Sequence, residues 1–209
     1  MVDIEKLMKE LARDRSVFHS EADFQHALGW QIHRANPGHA VRFEYKPRAE
    51  LAMYVDLWLA TAGVVVELKY RTRKLECEVG GEPFLLRDQA AGPPSRYSFL
   101  KDVQRLEDFV STVPDVRSGL AVFLTNDAAF WKEPSRRNLV DSEFRLHEGR
   151  RVAGEMAWSE RASDGTKKGR EAPIRLTGEY HLRWRDYAGV GLGRHARFRY
   201  LAIRVGDGT

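Results

Sequence analysis

The residues best suited to chemistry are concentrated between Asp56 and Lys69. Asp56 is followed, after ten residues, by the triplet Glu67-Leu68-Lys69, which closes the β-branched apolar run Val64-Val65-Val66. A turn centred between Thr61 and Ala62 pairs Leu59 with Val64, Trp58 with Val65 and Asp56 with Glu67. That register stands two carboxylates opposite each other, with Cβ atoms roughly 4.5–5.5 Å apart. Lys69 comes two residues after Glu67 and shares its face, while Val64, Val66 and Leu68 turn the other way into packing. Opposed like charges cost stability, and a divalent cation held by carboxylate oxygens would relieve them. The run from Val64 to Val66 is too apolar for an exposed ladder of surface ion pairs. A third carboxylate, Glu21, lies three residues before Phe24 and seven before Leu28, on the apolar stripe of a helix. It should point inward or into a cleft, although an acid in a first helical turn is also satisfied by free amides and the helix dipole.

These residues need elements to hold them. Ser20 to Arg34 reads as a helix through Phe24, Ala27, Leu28 and Ile32, with Ser20 and Asp23 resembling a capping box and Asn36-Pro37-Gly38 ending it. An extended piece over Ala40 to Tyr45 precedes a strand over Met53 to Leu59, with Met53, Val55, Leu57 and Leu59 on one face and Tyr54, Asp56 and Trp58 on the other. Val64 to Tyr70 completes a hairpin as a buried strand. Arg71 to Ser95 is irregular, with Gly80-Gly81 as a hairpin turn and Gly92-Pro93-Pro94 as a breaker. Tyr97 to Val110 returns to helical spacing, and Ser118 to Thr125 is another buried strand. Beyond Asn126, Ala157 to Pro173 is polar and reads as a mobile loop, while Glu179 to Arg185 and Arg197 to Val205 alternate like edge strands. The expected fold is one α/β domain with a mixed central sheet flanked by helices, a core over about 18–126 and a β-rich extension over 127–209.

Composition narrows the class further. With 209 residues, 43% hydrophobic and 31% charged, the chain can bury a core and is not disordered as a whole. A single cysteine, Cys77, permits no internal disulfide and fits a reducing compartment. The first residues lack a basic segment followed by an apolar run, and no stretch approaches a membrane span, so a cytoplasmic protein without a membrane partner is expected. The net charge of +4 is uneven: residues 145–209 carry 14 Lys and Arg against 8 Asp and Glu. Such an excess suits phosphates or a solvated basic face. Arg71, Arg73 and Lys74 directly follow the Glu-x-Lys strand and read as contacts to a nucleic-acid backbone, or as a solvated charge run.

At Asp56, Glu67-Leu68-Lys69 and Glu21 the chain resembles the PD-(D/E)XK nuclease superfamily, in which one strand ends in an acid, the next carries acid-x-lysine and a preceding helix often adds another acid. Val55 stands where the name-giving proline would be. The resemblance covers about residues 20–125 and implies a restriction-endonuclease-like αβββαβ core that hydrolyses phosphodiester bonds of DNA with Mg2+, or Mn2+ in its place. It implies that Asp56, Glu67, the Leu68 carbonyl and Glu21 hold metal and that Lys69 positions the attacking water and stabilises developing charge. It also implies an auxiliary residue from the second helix, where Tyr97, Lys101 and Gln104 share a stripe. RNA is the alternative substrate, and with no sequence-reading motif in the chain, specificity would come from loops, a second copy or a partner protein. The rival reading is a non-catalytic nucleic-acid-binding or assembly module on the same scaffold.

Overall fold

The computed structural model describes residues 2–47, 54–89, 92–136 and 138–206. Met53, expected to open a strand, lies outside them. The chain begins with helix α1, Ile4–Asp14, capped by the Asp3 carboxylate on Lys6 N and burying Ile4, Leu7, Met8 and Leu11 along one stripe. Helix α2, Glu21–Ala35, starts at Ser20, whose Oγ accepts from Asp23 N. Three strands follow: β1 (Val41–Tyr45), β2 (Val55–Leu59) and β3 (Val64–Arg71). A hairpin of β4 (Leu75–Val79) and β5 (Glu82–Leu86) turns through Gly80 and Gly81, both at positive φ, where a side chain would be strained.

Helix α3 runs over Gly92–Thr112 and leads to β6, Ser118–Thr125. The expected breaker at Gly92-Pro93-Pro94 is instead the first turn of α3, where prolines are tolerated because those amides have no intrahelical partner. The remaining elements are β7 (Arg151–Met156), the one-turn helix α4 (Asp164–Lys167), β8 (Ile174–His181), β9 (Trp184–Gly189) and β10 (Arg197–Gly206). The polar stretch expected as a mobile loop is anchored by Trp158, which stacks on Tyr97 and meets Phe144 edge-on.

The central sheet has the order β1-β2-β3-β6-β10-β9, with β3 and β6 parallel and the other neighbours antiparallel. It is therefore a mixed sheet. β10 lies inside the sheet between β6 and β9, a correction to its reading as an edge strand: alternation along β10 reflects one set of side chains on each core. Likewise Glu179 to Arg185 spans the end of β8 and the start of β9, two strands of different sheets.

Two cores sandwich this sheet. On one face α1, α2 and the β4–β5 hairpin enclose Phe18, Phe24, Leu28, Tyr70 and Phe84. On the other, α3 and the β7–β8 hairpin enclose Phe99, Leu106, Phe123, Phe144 and Trp184. Leu57 and Leu59 belong to the first core, but Val55 belongs to the second, beside Trp58. The strict alternation expected along β2 thus breaks at Asp56, because the strand departs from its regular pleat there.

Candidate functional site

The β2–β3 ladder pairs Leu59 with Val64, Trp58 with Val65 and Leu57 with Val66, in the expected register, and ends before Asp56 and Glu67. The two acids therefore lie where the strands part. Freed from the ladder, the Asp56 carboxylate accepts from the Leu68 amide at 2.5 Å, while its main-chain carbonyl accepts from Gln25 Nε2 at 2.8 Å. The same Gln25 nitrogen also donates to Glu44 Oε1, tying α2 to the end of β1. Glu67 and Lys69 continue the face of Val65, so they look toward α3.

Helix α3 meets them with a charged pair of its own. Lys69 Nζ lies 2.8 Å from Asp102 Oδ2. Arg105 Nη2 lies 2.5 Å from Glu67 Oε1 and 3.2 Å from Asp102 Oδ1. Glu67 is 3% exposed, and these close cations neutralise its Oε1 and Asp102 Oδ2. Glu21, from the first turn of α2, reaches the end of β3 instead: its Oε2 accepts from Tyr70 N at 2.7 Å and Arg71 Nη1 at 2.9 Å.

Electrostatics follow from this enclosure. Burial pushes the Asp56 carboxyl up to about 6, against the opposing pull of the Leu68 amide and Lys69. Glu67 is raised well above the usual carboxylate range, again mainly by burial, with Arg105 acting in the opposite direction and Asp102 and Asp56 adding to the rise. Burial works against the charge on Lys69, but Asp102 outweighs it and the ammonium is held above its ordinary value. Glu67 and Asp102 likewise strengthen the charge on Arg105 against burial.

The other expected site residues are placed differently. Tyr97 is buried, with its hydroxyl on Ala172 O, and serves the core. Lys101 is exposed and donates to Gln104 Oε1, so that stripe faces away from β3. Asp102 and Arg105 lie about a quarter-turn round the helix from it. They are the α3 residues that sequence reasoning missed; the available signal was a pair of opposite charges at i,i+3 beside Phe99, Val103 and Leu106. Arg71 is engaged by Glu21, Arg73 Nε lies 3.6 Å from Asp88, and Lys74 Nζ lies 3.1 Å from Glu76, leaving the three at the end of β3 but away from Glu67.

Among the described residues, no group of three or more His, Cys, Asp or Glu side chains is arranged to hold a metal ion. Asp56 and Glu67 offer buried carboxylate oxygens of the kind a hard cation would take, with Glu67 Oε1 already met by Arg105 Nη2 at 2.5 Å. Asp56 and Glu67 share this end of β3 with Glu21, which reaches it from α2. Comparison with protein-family models, with curated proteins and with solved structures found no significant match.

Proposed function

We propose that the chain is a divalent-metal-dependent nuclease of the PD-(D/E)XK superfamily, hydrolysing phosphodiester bonds in DNA on a restriction-endonuclease-like core. The observation that carries the reading is the pair Glu67 and Lys69, enclosed at the point where β2 and β3 part and Asp56 joins them. Burying three charged groups at one strand end needs a reason, and such groups cluster where pKa values are tuned for chemistry. The chain order α2-β1-β2-β3-α3-β6, interrupted by the β4–β5 hairpin between β3 and α3, supports the same reading.

Magnesium or manganese would supply Lewis acidity and lower the pKa of a bound water. Asp56, Glu67 and the Leu68 carbonyl would hold the cation. Lys69 stays protonated at neutral pH, since Asp102 holds its pKa up, so its part is to stabilise negative charge on the phosphoryl oxygens and not to accept the water proton. Water adds to phosphorus and loses a proton to solvent, the P–O ester bond breaks and the leaving oxygen is protonated from solvent. Asp102 positions Lys69 without touching the reacting atoms.

The test is incubation of the chain with supercoiled, linear, single-stranded and branched DNA, each with magnesium, manganese or chelator. Cleavage with metal and none with chelator is the expected result. A second reading, a binding or assembly module on this scaffold, is favoured by the counter-charges that α3 places on Glu67 and Lys69. It predicts salt-dependent nucleic-acid binding with every substrate left intact.

A further inference from the structure

Glu67 is the most enclosed carboxylate of the site, and the group that neutralises it comes from a helix and not from the sheet. The Arg105 side chain is 24% exposed against 3% for Glu67, so the guanidinium stands between that carboxylate and water. One of its terminal nitrogens is shared between Glu67 Oε1 at 2.5 Å and Asp102 Oδ1 at 3.2 Å. The contact is charge-driven and lacks the two-pronged geometry that makes an arginine–carboxylate pair tight. An arginine does not shed its proton at ordinary pH, so this charge leaves Glu67 only by movement.

Asp56, Glu67 and Asp102 face Lys69 and Arg105 across the end of β3 and the middle of α3, three carboxylates to two cations. Asp102 gives the withdrawn guanidinium a second anchor at the mouth of the site, so it leaves Glu67 without leaving the neighbourhood.

We propose that Arg105 is an exchangeable counter-cation: it occupies Glu67 in the metal-free protein, and a divalent cation displaces it from that carboxylate onto Asp102, where its remaining donors face an incoming phosphate. The proposal rests on the metal-dependent reading above. Metal binding and the Arg105–Glu67 contact exclude each other, so by linkage each weakens the other by the same factor.

The experiment uses the full chain with isotope-labelled arginine. The guanidinium resonances of Arg105, assigned by their loss in Arg105→Lys, are followed while Mg2+ is added, and Mg2+ affinity is measured by calorimetry in the unmodified chain, Arg105→Lys and Arg105→Ala. The resonances should shift in step with Mg2+ saturation, and Arg105→Ala should bind about tenfold tighter. Arg105→Lys keeps the charge but loses the fork, so tighter binding there too separates occupancy of Glu67 from a change of field. It also serves if Arg105→Ala fails to fold. Saturating Mg2+ binding with unmoved Arg105 resonances overturns the proposal and leaves the metal reading standing. Absence of Mg2+ binding in both the unmodified chain and the Arg105 variants removes the metal reading and the proposal with it.

Discussion

Asp56 sits between a Leu68 amide that favours its negative charge and an interior that opposes it, and burial wins. Its carboxyl holds a proton to about pH 6 when folded, above its unfolded value, so between the two values the fold binds more protons than the unfolded chain. Stability from this group is present at the acidic end of the window and lost as pH rises through 6. Asp56→Asn removes that loss and keeps an oxygen for Leu68 N. The variant should therefore be as stable as the unmodified chain near pH 4 and more stable, by on the order of 1–3 kcal/mol, near pH 7 without metal. Thermal melts of both chains across that range, with chelator, check it; a variant less stable at every pH would make Asp56 a structural hydrogen-bonding residue. Glu67 and Lys69 were legible through strand alternation, Asp56 through the short turn that brings it to the same strand end although alternation fails there, and Glu21 as a first-turn acid on a helix's apolar stripe. Asp102 and Arg105 were not, because a charged i,i+3 pair reads as a solvated face until the helix's rotation against the sheet is known.

Helix α3 supplies two of the site's charged groups, Asp102 and Arg105, and its distance from the sheet is set at Gly119. A Cβ on Gly119 would come 2.7 Å from Leu106 Cβ, so helix and β6 touch there nearly backbone to side chain. Gly119→Val should push α3 away, costing about 1–3 kcal/mol in urea unfolding and loosening Lys69 and Glu67 from their α3 partners. The other end of α3 is pinned by Arg96, whose Nη1 lies 2.7 Å from Asp141 Oδ2, with the two side chains 3% and 2% exposed. Asp141→Ala leaves that guanidinium buried without its partner and should cost about 3–5 kcal/mol, whereas substitution at exposed Lys101 should not change stability measurably. Helix α1 was not anticipated, although its apolar stripe of Ile4, Leu7, Met8 and Leu11 after the Asp3 cap is a local signal. The start of α3 was misread because proline marks both a breaker and a first turn, and only the packing of the preceding segment separates the two.

At the scale of the whole molecule, the six-stranded sheet brings β3, near the chain's beginning, beside β10, near its end, through β6. Such long-range pairing is what local pattern cannot show: β10 and an edge strand share the same alternation and differ only in how many neighbours they have. The basic excess of residues 145–209 is spread over several strands, with Arg175, Arg197 and Arg199 paired to Glu155, Asp186 and Glu148. If nucleic acid lies across the end of β3, its affinity should fall steeply with salt, and Arg73→Ala combined with Lys74→Ala should weaken binding and shallow that dependence by up to about two phosphate contacts. Fluorescence titrations at several salt concentrations read both; a slope unchanged by the double substitution would place the contact elsewhere. The central claim is tested most directly by nicking of supercoiled plasmid against Mg2+ concentration, with Glu67→Gln and Lys69→Met alongside the unmodified chain and melting curves showing that all three fold. The account predicts metal-dependent nicking by the unmodified chain alone. Nicking by either variant at the unmodified rate, or by none of the three at any Mg2+ or Mn2+ concentration, would contradict it.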